Sequence, residues 1–229
     1  GKPFVHLKLA TTLDGRIAAS GGDSRWVTGR DARLRAHELR AEAGAVLVGA
    51  NTVRTDDPML TARDLPVPAP RITRVVLDPH LTISPGSKLA KSAGETPVVV
   101  FAPEPALDGR EKELERLGVE VVATPCSEEG LDLVYVLAEL GGCGIKGLLV
   151  EGGGETATRF VRMGLADKLT LFYAPKLLGS EGVPMIGALR ATKVAESLQF
   201  SVSEVGKVGD DVAVTLYPGG EEERVHRAC

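Results

Sequence analysis

Aromatic residues are scarce in this chain, only 4% of 229 positions, and no basic run offsets a formal net charge of −4. Single-strand nucleic-acid binders need aromatic stacking platforms and duplex binders need a positive face, so both classes are excluded. Cysteine is nearly missing too. Cys126, Cys143 and Cys229 are odd in number and far apart, which argues against a disulfide framework or a cysteine zinc site and points to a reducing cytoplasm. His6, His37, His80 and His226 form no cluster with ligand spacing, so no metal is expected. No apolar run nears the roughly 20 residues of a membrane span, and the N-terminus lacks a signal-peptide layout. The first residue is Gly1 rather than Met, which suggests a piece cut from a longer protein. What remains is ordinary: 43% hydrophobic and 25% charged residues, enough chain for one large α/β domain or two small ones.

The most informative stretch is Leu148-Leu149-Val150-Glu151-Gly152-Gly153-Gly154-Glu155-Thr156. A short apolar run reads as a buried strand, ends on a carboxylate, turns through three glycines and enters helical spacing at Ala157, Phe160, Val161 and Leu165. The first amides of a helix lack intrahelical partners, and the helix dipole favours an anion there. Glycine lets a pyrophosphate lie against the backbone. Three glycines suit a ligand-free strand-to-helix turn equally well, but Glu151 just before an anion cradle needs a reason. A cationic or hydroxyl-rich ligand group beside the phosphates supplies one.

Alternating residues 4–10 read as a strand, followed by an Asp14-Gly15 turn and a flexible loop carrying Trp26. That Trp is read as a hydrophobic anchor or as part of a loop that closes over a planar ring. Thr28 or Asp31 is expected to cap a helix over 32–43 that Gly44 ends. Further strands are expected at 45–49, 74–78, 96–101, 119–123, 148–150 and 168–174, and helices at 109–117 and 131–140. Residues 198–205 and 212–217, separated by 206–211, read as an antiparallel pair. The stretch 65–70 is a proline-rich link within one domain. After the strand at 45–49 come Thr52, Arg54, Asp56, Asp57 and Arg63, the groups a phosphorylated ligand wants at a strand's carboxyl end. Asp56-Asp57-Pro58 also suits a plain turn. Strands alternating with helices and finished by a hairpin give an α/β fold with a mostly parallel central sheet, antiparallel C-terminal strands and flanking helices.

Leu7-Lys8-Leu9-Ala10, Leu13-Asp14-Gly15, Asp23-Ser24-Arg25-Trp26-Val27-Thr28 and Val48-Gly49-Ala50-Asn51-Thr52-Val53 stand in order along the chain. Asp56-Asp57-Pro58, Leu60-Thr61, Val150-Glu151-Gly152-Gly153-Gly154, Gly164-Leu165-Ala166-Asp167 and Ala174-Pro175-Lys176-Leu177-Leu178-Gly179 follow. The set resembles the pyrimidine reductase of riboflavin biosynthesis, the reductase domain of the bifunctional deaminase–reductase of RibD type, over nearly the whole chain. The resemblance implies a dihydrofolate-reductase-like fold, one reductase domain over residues 1–218 with a polar tail at 219–229, and NADPH as hydride donor. The implied substrate is 5-amino-6-(5-phosphoribosylamino)uracil, reduced at ribose C1′. By position, Ala10, Trp26, Thr52, Asp56, Gly152, Gly153, Gly154, Glu155 and Thr156, within a loop reaching residue 159, fall at dinucleotide contacts. Ser24, Arg40, Leu60, Arg63 and Glu151 fall at substrate contacts. A homodimer is the family's usual state, and residues 169–179 with the late strands offer an apolar surface for one. The resemblance also implies a zinc deaminase domain as companion in a full protein; this chain itself lacks the deaminase signature.

The chemistry fits independently. An anomeric carbon accepts hydride only after ring opening to a Schiff base, and the developing cation welcomes a carboxylate, for which Glu151 and Asp56 are candidates. Lys8 is a candidate proton donor, with a solvated strand lysine as the plainer reading. Arg40 and Arg63 suit a 5′-phosphate; surface charge is the plain alternative, and it suits Arg40 better than Arg63. Arg54, Arg71, Arg74 and Lys88 are candidates for a cofactor 2′-phosphate. A folate-type reductase on the same fold and a non-catalytic nucleotide-binding or dimerising module remain as alternatives.

Overall fold

A computed structural model describes residues 1–66, 70–106 and 108–219 of the chain. The elements run β1 (Phe4–Thr12), β2 (Arg16–Ala18), α1 (Arg30–Ala43), β3 (Ala45–Gly49), α2 (Ala50–Asp56), β4 (Thr73–Leu77) and α3 (Lys88–Lys91). Then come β5 (Val98–Ala102), α4 (Glu111–Arg116), β6 (Val119–Ala123), β7 (Cys126–Ser127), β8 (Gly130–Leu131), α5 (Leu133–Gly142) and β9 (Gly147–Val150). The last are α6 (Gly154–Arg162), β10 (Lys168–Ala174), β11 (Val183–Pro184), β12 (Phe200–Val208) and β13 (Asp211–Pro218). The chain divides into two compact units, Gly1–Phe4 with Ala36–Gly153, and Val5–Arg35 with the described residues from Gly154 on.

In the first unit β9, β3, β4, β5 and β6 lie side by side, every pair parallel. All but β6, an edge strand that exposes Glu120 and Ala123, are largely apolar runs, because parallel strands inside a sheet are covered on both faces. Val46, Val48, Val76, Val100 and Leu114 are all buried in one core with Leu89 and Ile72. Asp132 caps α5, accepting from the amides of Val134 and Tyr135, bonds whose loss costs about 1 kcal/mol. Both β3 and β9 end where ligand loops are expected, at Gly49 and Val150.

In the second unit the order is β12, β13, β10, β1; β1 and β10 are parallel, and the two C-terminal pairings are antiparallel. Helix α6 buries Ala157, Phe160 and Val161, of which Phe160 alone contributes roughly 1.5–3 kcal/mol. The Thr158 hydroxyl donates to the Gly154 carbonyl at 2.5 Å and accepts the Gly187 amide at 2.7 Å, tying the loop after β11 to the helix.

Several expectations shift. Helix α1 begins at Arg30, so Asp31 lies in its first turn and neither Thr28 nor Asp31 stands at its start; the preceding Gly29 amide is instead satisfied by the buried Asp211 carboxylate at 2.7 Å. Strand β12 runs on to Val208, opposite Asp211, leaving only Gly209 and Asp210 as the turn. Helix α2, where the sequence suggested no element beyond a turn at Asp56-Asp57-Pro58, has a single buried residue, Val53, and therefore almost no periodic signal. The short α3 and the paired pieces β2–β11 and β7–β8 were also invisible, being two to four residues long. Of the proposed polar tail only Gly219 lies among the described residues, and the middle of the proline-rich link, 67–69, lies outside them.

Candidate active site

The first unit holds a buried ion pair. Glu151 follows β9, and Arg40 reaches it from the last turn of α1, Nε to Oε1 at 2.7 Å and Nη2 to Oε2 at 2.9 Å. The two side chains are 13% and 10% exposed. Burial works against the Arg40 charge, but the adjacent Glu151 carboxylate outweighs it through Coulomb attraction and hydrogen bonding, raising the guanidinium pKa. Such a two-pronged pair fixes the carboxylate's plane as well as its charge. Arg40 is thus not the surface charge that stood as its plain alternative.

Arg40 has a further bond, from Nη1 to the Thr61 carbonyl at 3.0 Å, and His37 Nδ1 lies 2.9 Å from the same oxygen. A carbonyl only accepts, so Nδ1 carries the imidazole proton. Burial lowers the His37 pKa, and the Arg40 cation lowers it further, keeping the ring neutral near pH 7. Thr61 belongs to a loop in which Asp57, Leu60 and Asp64 all have left-handed backbone, with φ of 41°, 50° and 60°. Leu60 is buried while Arg63 is 55% exposed at its side chain, its Nε 3.7 Å from Asp64. The pinned Thr61 therefore ties Leu60 and Arg63 to the Arg40–Glu151 pair.

Beside Glu151, Gly152 adopts φ 111°, and a Cβ there would come 2.8 Å from Thr52 Oγ1. Only glycine fits. A Cβ on Gly153 would meet nothing within 4 Å, so the backbone there faces open space. Thr52 and Asp56 stand one turn apart on α2 and share a face. The chain then enters α6, where Gly154 packs under the Pro184 carbonyl and Glu155 is exposed.

The second unit carries the other residues named from sequence. Lys8, on β1, places its ammonium 5.8 Å from the centroid of Phe172. Ala10 lies two residues on, opposite Phe172 in the β1–β10 register. Ser24 accepts the Val27 amide through its carbonyl, at 3.1 Å. Trp26 is 63% exposed and so no hydrophobic anchor. The Arg33 guanidinium lies 4.4 Å from the centroid of its ring, within range of a cation–π contact. The carbonyls of Trp26 and Val27 accept from Lys176 Nζ at 2.7 and 2.8 Å, and that of Thr28 from Arg33 Nη1 at 2.9 Å.

The family model described as the RibD C-terminal domain matches residues 3–214. The chain belongs to the RibD C-terminal domain family. The riboflavin biosynthesis protein RibD of Aquifex aeolicus is 37% identical over 213 residues, covering 93% of this chain and 57% of that protein. The chain thus spans less than two thirds of that RibD's length. The 2,5-diamino-6-ribosylamino-4(3H)-pyrimidinone 5′-phosphate reductase of Methanothermobacter thermautotrophicus is 32% identical, over 93% of this chain and 97% of that protein. A crystal structure of a diaminohydroxyphosphoribosylaminopyrimidine deaminase/5-amino-6-(5-phosphoribosylamino)uracil reductase from Thermotoga maritima is 32% identical, with a TM-score of 0.78 over 95% of this chain and 57% of that one. Enterococcus faecalis dihydrofolate reductase, solved with NADP(H), shares the fold alone, at 13% identity and a TM-score of 0.52 over 95% of this chain and 97% of that one. The chain thus has a dihydrofolate-reductase-like α/β fold.

One candidate falls. Arg74 is fully buried on β4, and its guanidinium donates to the carbonyls of Met59, Ser92, Thr96 and Pro97 and to the Ser92 hydroxyl. With every direction filled it has no prong for a 2′-phosphate. Burial brings its pKa down to about 10, partly opposed by Glu95, so it stays charged near neutrality. His37, Arg33 and Lys176 were missed. His37 stands three residues before Arg40, on the same helix face, and that spacing could have drawn attention. The Lys176 partners are carbonyls, which leave no mark in a sequence.

Proposed function

We propose that this chain catalyses the NADPH-dependent reduction of 5-amino-6-(5-phosphoribosylamino)uracil to 5-amino-6-(5-phosphoribitylamino)uracil. The observation that carries the reading is the buried, doubly bonded Arg40–Glu151 pair at the end of β9. A carboxylate held ionised and in a fixed plane is what a developing iminium cation requires, because its stabilising charge needs no reorganisation when the reaction occurs. Glu151 takes this role, with Asp56 as the second carboxylate and Lys8 as proton donor for the departing ring oxygen. Arg63, exposed at the end of its loop, takes the 5′-phosphate; Ser24, Leu60 and Arg40 complete the substrate contacts.

The residues present fit a dinucleotide. A Cβ at Gly152 is excluded by Thr52, the backbone at Gly153 lies open, and α6 begins at the next residue, where the first amides of a helix have no intrahelical partner. Gly152, Gly153, Gly154, Glu155 and Thr156, with Ala10, Trp26, Thr52 and Asp56, would hold it. NADPH supplies the hydride when bound; the protein supplies position and charge. Arg54, Arg71 and Lys88 are the remaining 2′-phosphate candidates. We further take residues 1–218 as one reductase domain, cytoplasmic and homodimeric, accompanied in a longer protein by a zinc deaminase domain. Among the described residues no helix is long and apolar enough to cross a membrane.

Substrate-dependent NADPH oxidation by the isolated chain tests the reading, with the uracil and its diaminopyrimidinone precursor assayed side by side. Faster turnover of the uracil is expected, on the stronger identity to the Aquifex RibD. Faster turnover of the precursor would reverse the order of reduction and deamination. Dihydrofolate turning over as fast as either would favour a folate-type reductase, and no oxidation at all would remove the catalytic reading.

A further inference from the structure

We propose that Lys176 is a positioning residue for Trp26, holding the loop of residues 24–28 so that the indole stands ready for a planar ligand group. The inference rests on the reading that Trp26 contacts the dinucleotide.

Three consecutive carbonyls of that loop, those of Trp26, Val27 and Thr28, each accept from a cation, two from Lys176 Nζ and one from Arg33 Nη1. Both donors come from outside the loop, and Lys176 arrives from 150 residues away. Nor is Lys176 a loose surface lysine, although it is exposed. Its backbone segment is fixed on both sides. Its carbonyl accepts the Leu13 amide at 3.0 Å, and the Asp14 carboxylate accepts the amides of Leu178 and Gly179 at 3.1 and 2.6 Å. The Thr12 hydroxyl, at 2.5 Å, and these two amides keep Asp14 ionised, with its pKa below the ordinary carboxylate range. Asp14 thereby carries the Lys176 stem on the turn after β1, and the lysine carries the Trp26 backbone.

The ring itself is held differently. Arg33 lies over it, and the indole keeps 63% of its surface in contact with solvent. A pinned backbone beneath an exposed aromatic ring is a costly arrangement for a soluble protein unless the ring has an aromatic or heteroaromatic partner to receive. Pre-ordering the loop removes part of the entropy that binding would otherwise consume.

Trp26 is the only tryptophan in the chain, so its emission reports on this loop without interference. Time-resolved fluorescence anisotropy of the ligand-free protein is the primary measurement. Lys176→Met should add a fast local depolarisation that wild type lacks, and Lys176→Arg, which keeps a cationic donor, should remove most of it. Equilibrium titration with NADPH should then show Kd raised about three- to tenfold in Lys176→Met, the range for losing one or two pre-ordered groups, and within about twofold of wild type in Lys176→Arg. In steady-state kinetics KM for NADPH should rise while kcat changes little. Unchanged local motion in Lys176→Met overturns the proposal, as does freed motion with unchanged NADPH affinity. If wild type itself binds no NADPH, the cofactor reading fails and the coupling to it falls, while the anisotropy still decides whether Lys176 orders the loop. Exposure of residue 176 makes loss of folding an unsuitable explanation, and circular dichroism of both variants checks it.

Discussion

The loop of residues 57–64 and the loop of residues 24–28 are held by the same kind of bond, a cation donating to a backbone carbonyl, but at opposite depths. In the first, fully buried Arg74 donates to the Met59 carbonyl at 3.2 Å and largely buried Arg40 to that of Thr61. In the second, exposed Lys176 serves Trp26 and Val27. Depth changes what the bond is worth. A buried guanidinium cannot return to water when a bond breaks, so each bond is costly to lose; an exposed ammonium exchanges carbonyl for solvent at small cost. The first loop is therefore a fixed part, able to keep left-handed backbone at Asp57, Leu60 and Asp64. The second is ordered but adjustable, as a segment that receives a ligand ring should be.

The largest effect that could break this contrast is at Arg74. Arg74→Met orphans five acceptor contacts and should lower unfolding free energy by about 3 kcal/mol or more in urea titration. Arg74→Lys should recover less than half, because an ammonium cannot reach in the plane of a guanidinium. A loss below about 1 kcal/mol would mean that depth does not strengthen these bonds. Next, Arg40→Met takes the two-pronged ion pair away from buried Glu151, a change of about 3 kcal/mol, and kcat/KM should fall about a hundredfold. Glu151→Gln should lose a similar factor, and the double variant little more, since the two act as one unit. Additive losses would show that the pair is not the functional element.

Arg63→Met removes an exposed cation from the end of the fixed loop. It should cost about 1.5–3 kcal/mol, ten- to a hundredfold in kcat/KM, with NADPH affinity unaffected. A substrate without the 5′-phosphate should react poorly with wild type and lose nothing further in the variant. Equal slowing of both substrates would move Arg63 out of phosphate binding.

Acid and salt separate the loops most finely. Because the His37 pKa is lowered by burial and by Arg40, with Arg63 adding to it and Glu151 opposing, the unfolded chain takes up the proton first. Stability therefore falls as pH drops below about 6.5 and levels off below the folded-state pKa. His37→Gln should make that part of the profile shallower without flattening it, because burial also lowers the His6 pKa, to about 4, and His6 contributes over the same range; Trp26 anisotropy should stay unmoved throughout. Raising salt to about 1 M, where the Debye length is about 3 Å, should do the reverse, loosening Trp26 slightly and leaving the loop of Thr61 alone. A common response to either treatment would erase the distinction.

What could be read from sequence follows the same divide. The strands β3, β4, β5 and β9 were legible because a strand covered on both faces must be a continuous apolar run, as Ala45–Gly49 is. The glycine turn was legible because its steric need is local: Gly152 has no room for a side chain. The surroundings of Arg40 and Arg74 were not legible because an arginine's environment is set by elements far along the chain. Helix α1 has arginines at 30, 33, 35 and 40, and nothing in their spacing says which one meets Glu151. Carbonyl partners are worse still, since every residue has one.

The distances along the chain have a consequence in time. The strands β3, β4, β5 and β6 follow one another in sequence and can pair as soon as each is made. Strand β9, which lies next to β3, arrives only after all of them, and the Glu151–Arg40 bond closes a span of 111 residues. The entropy of that closure is met late. A nascent first unit thus has its sheet before it has its ion pair, and Arg40 waits, charged and unmatched by Glu151, for the strand that completes it.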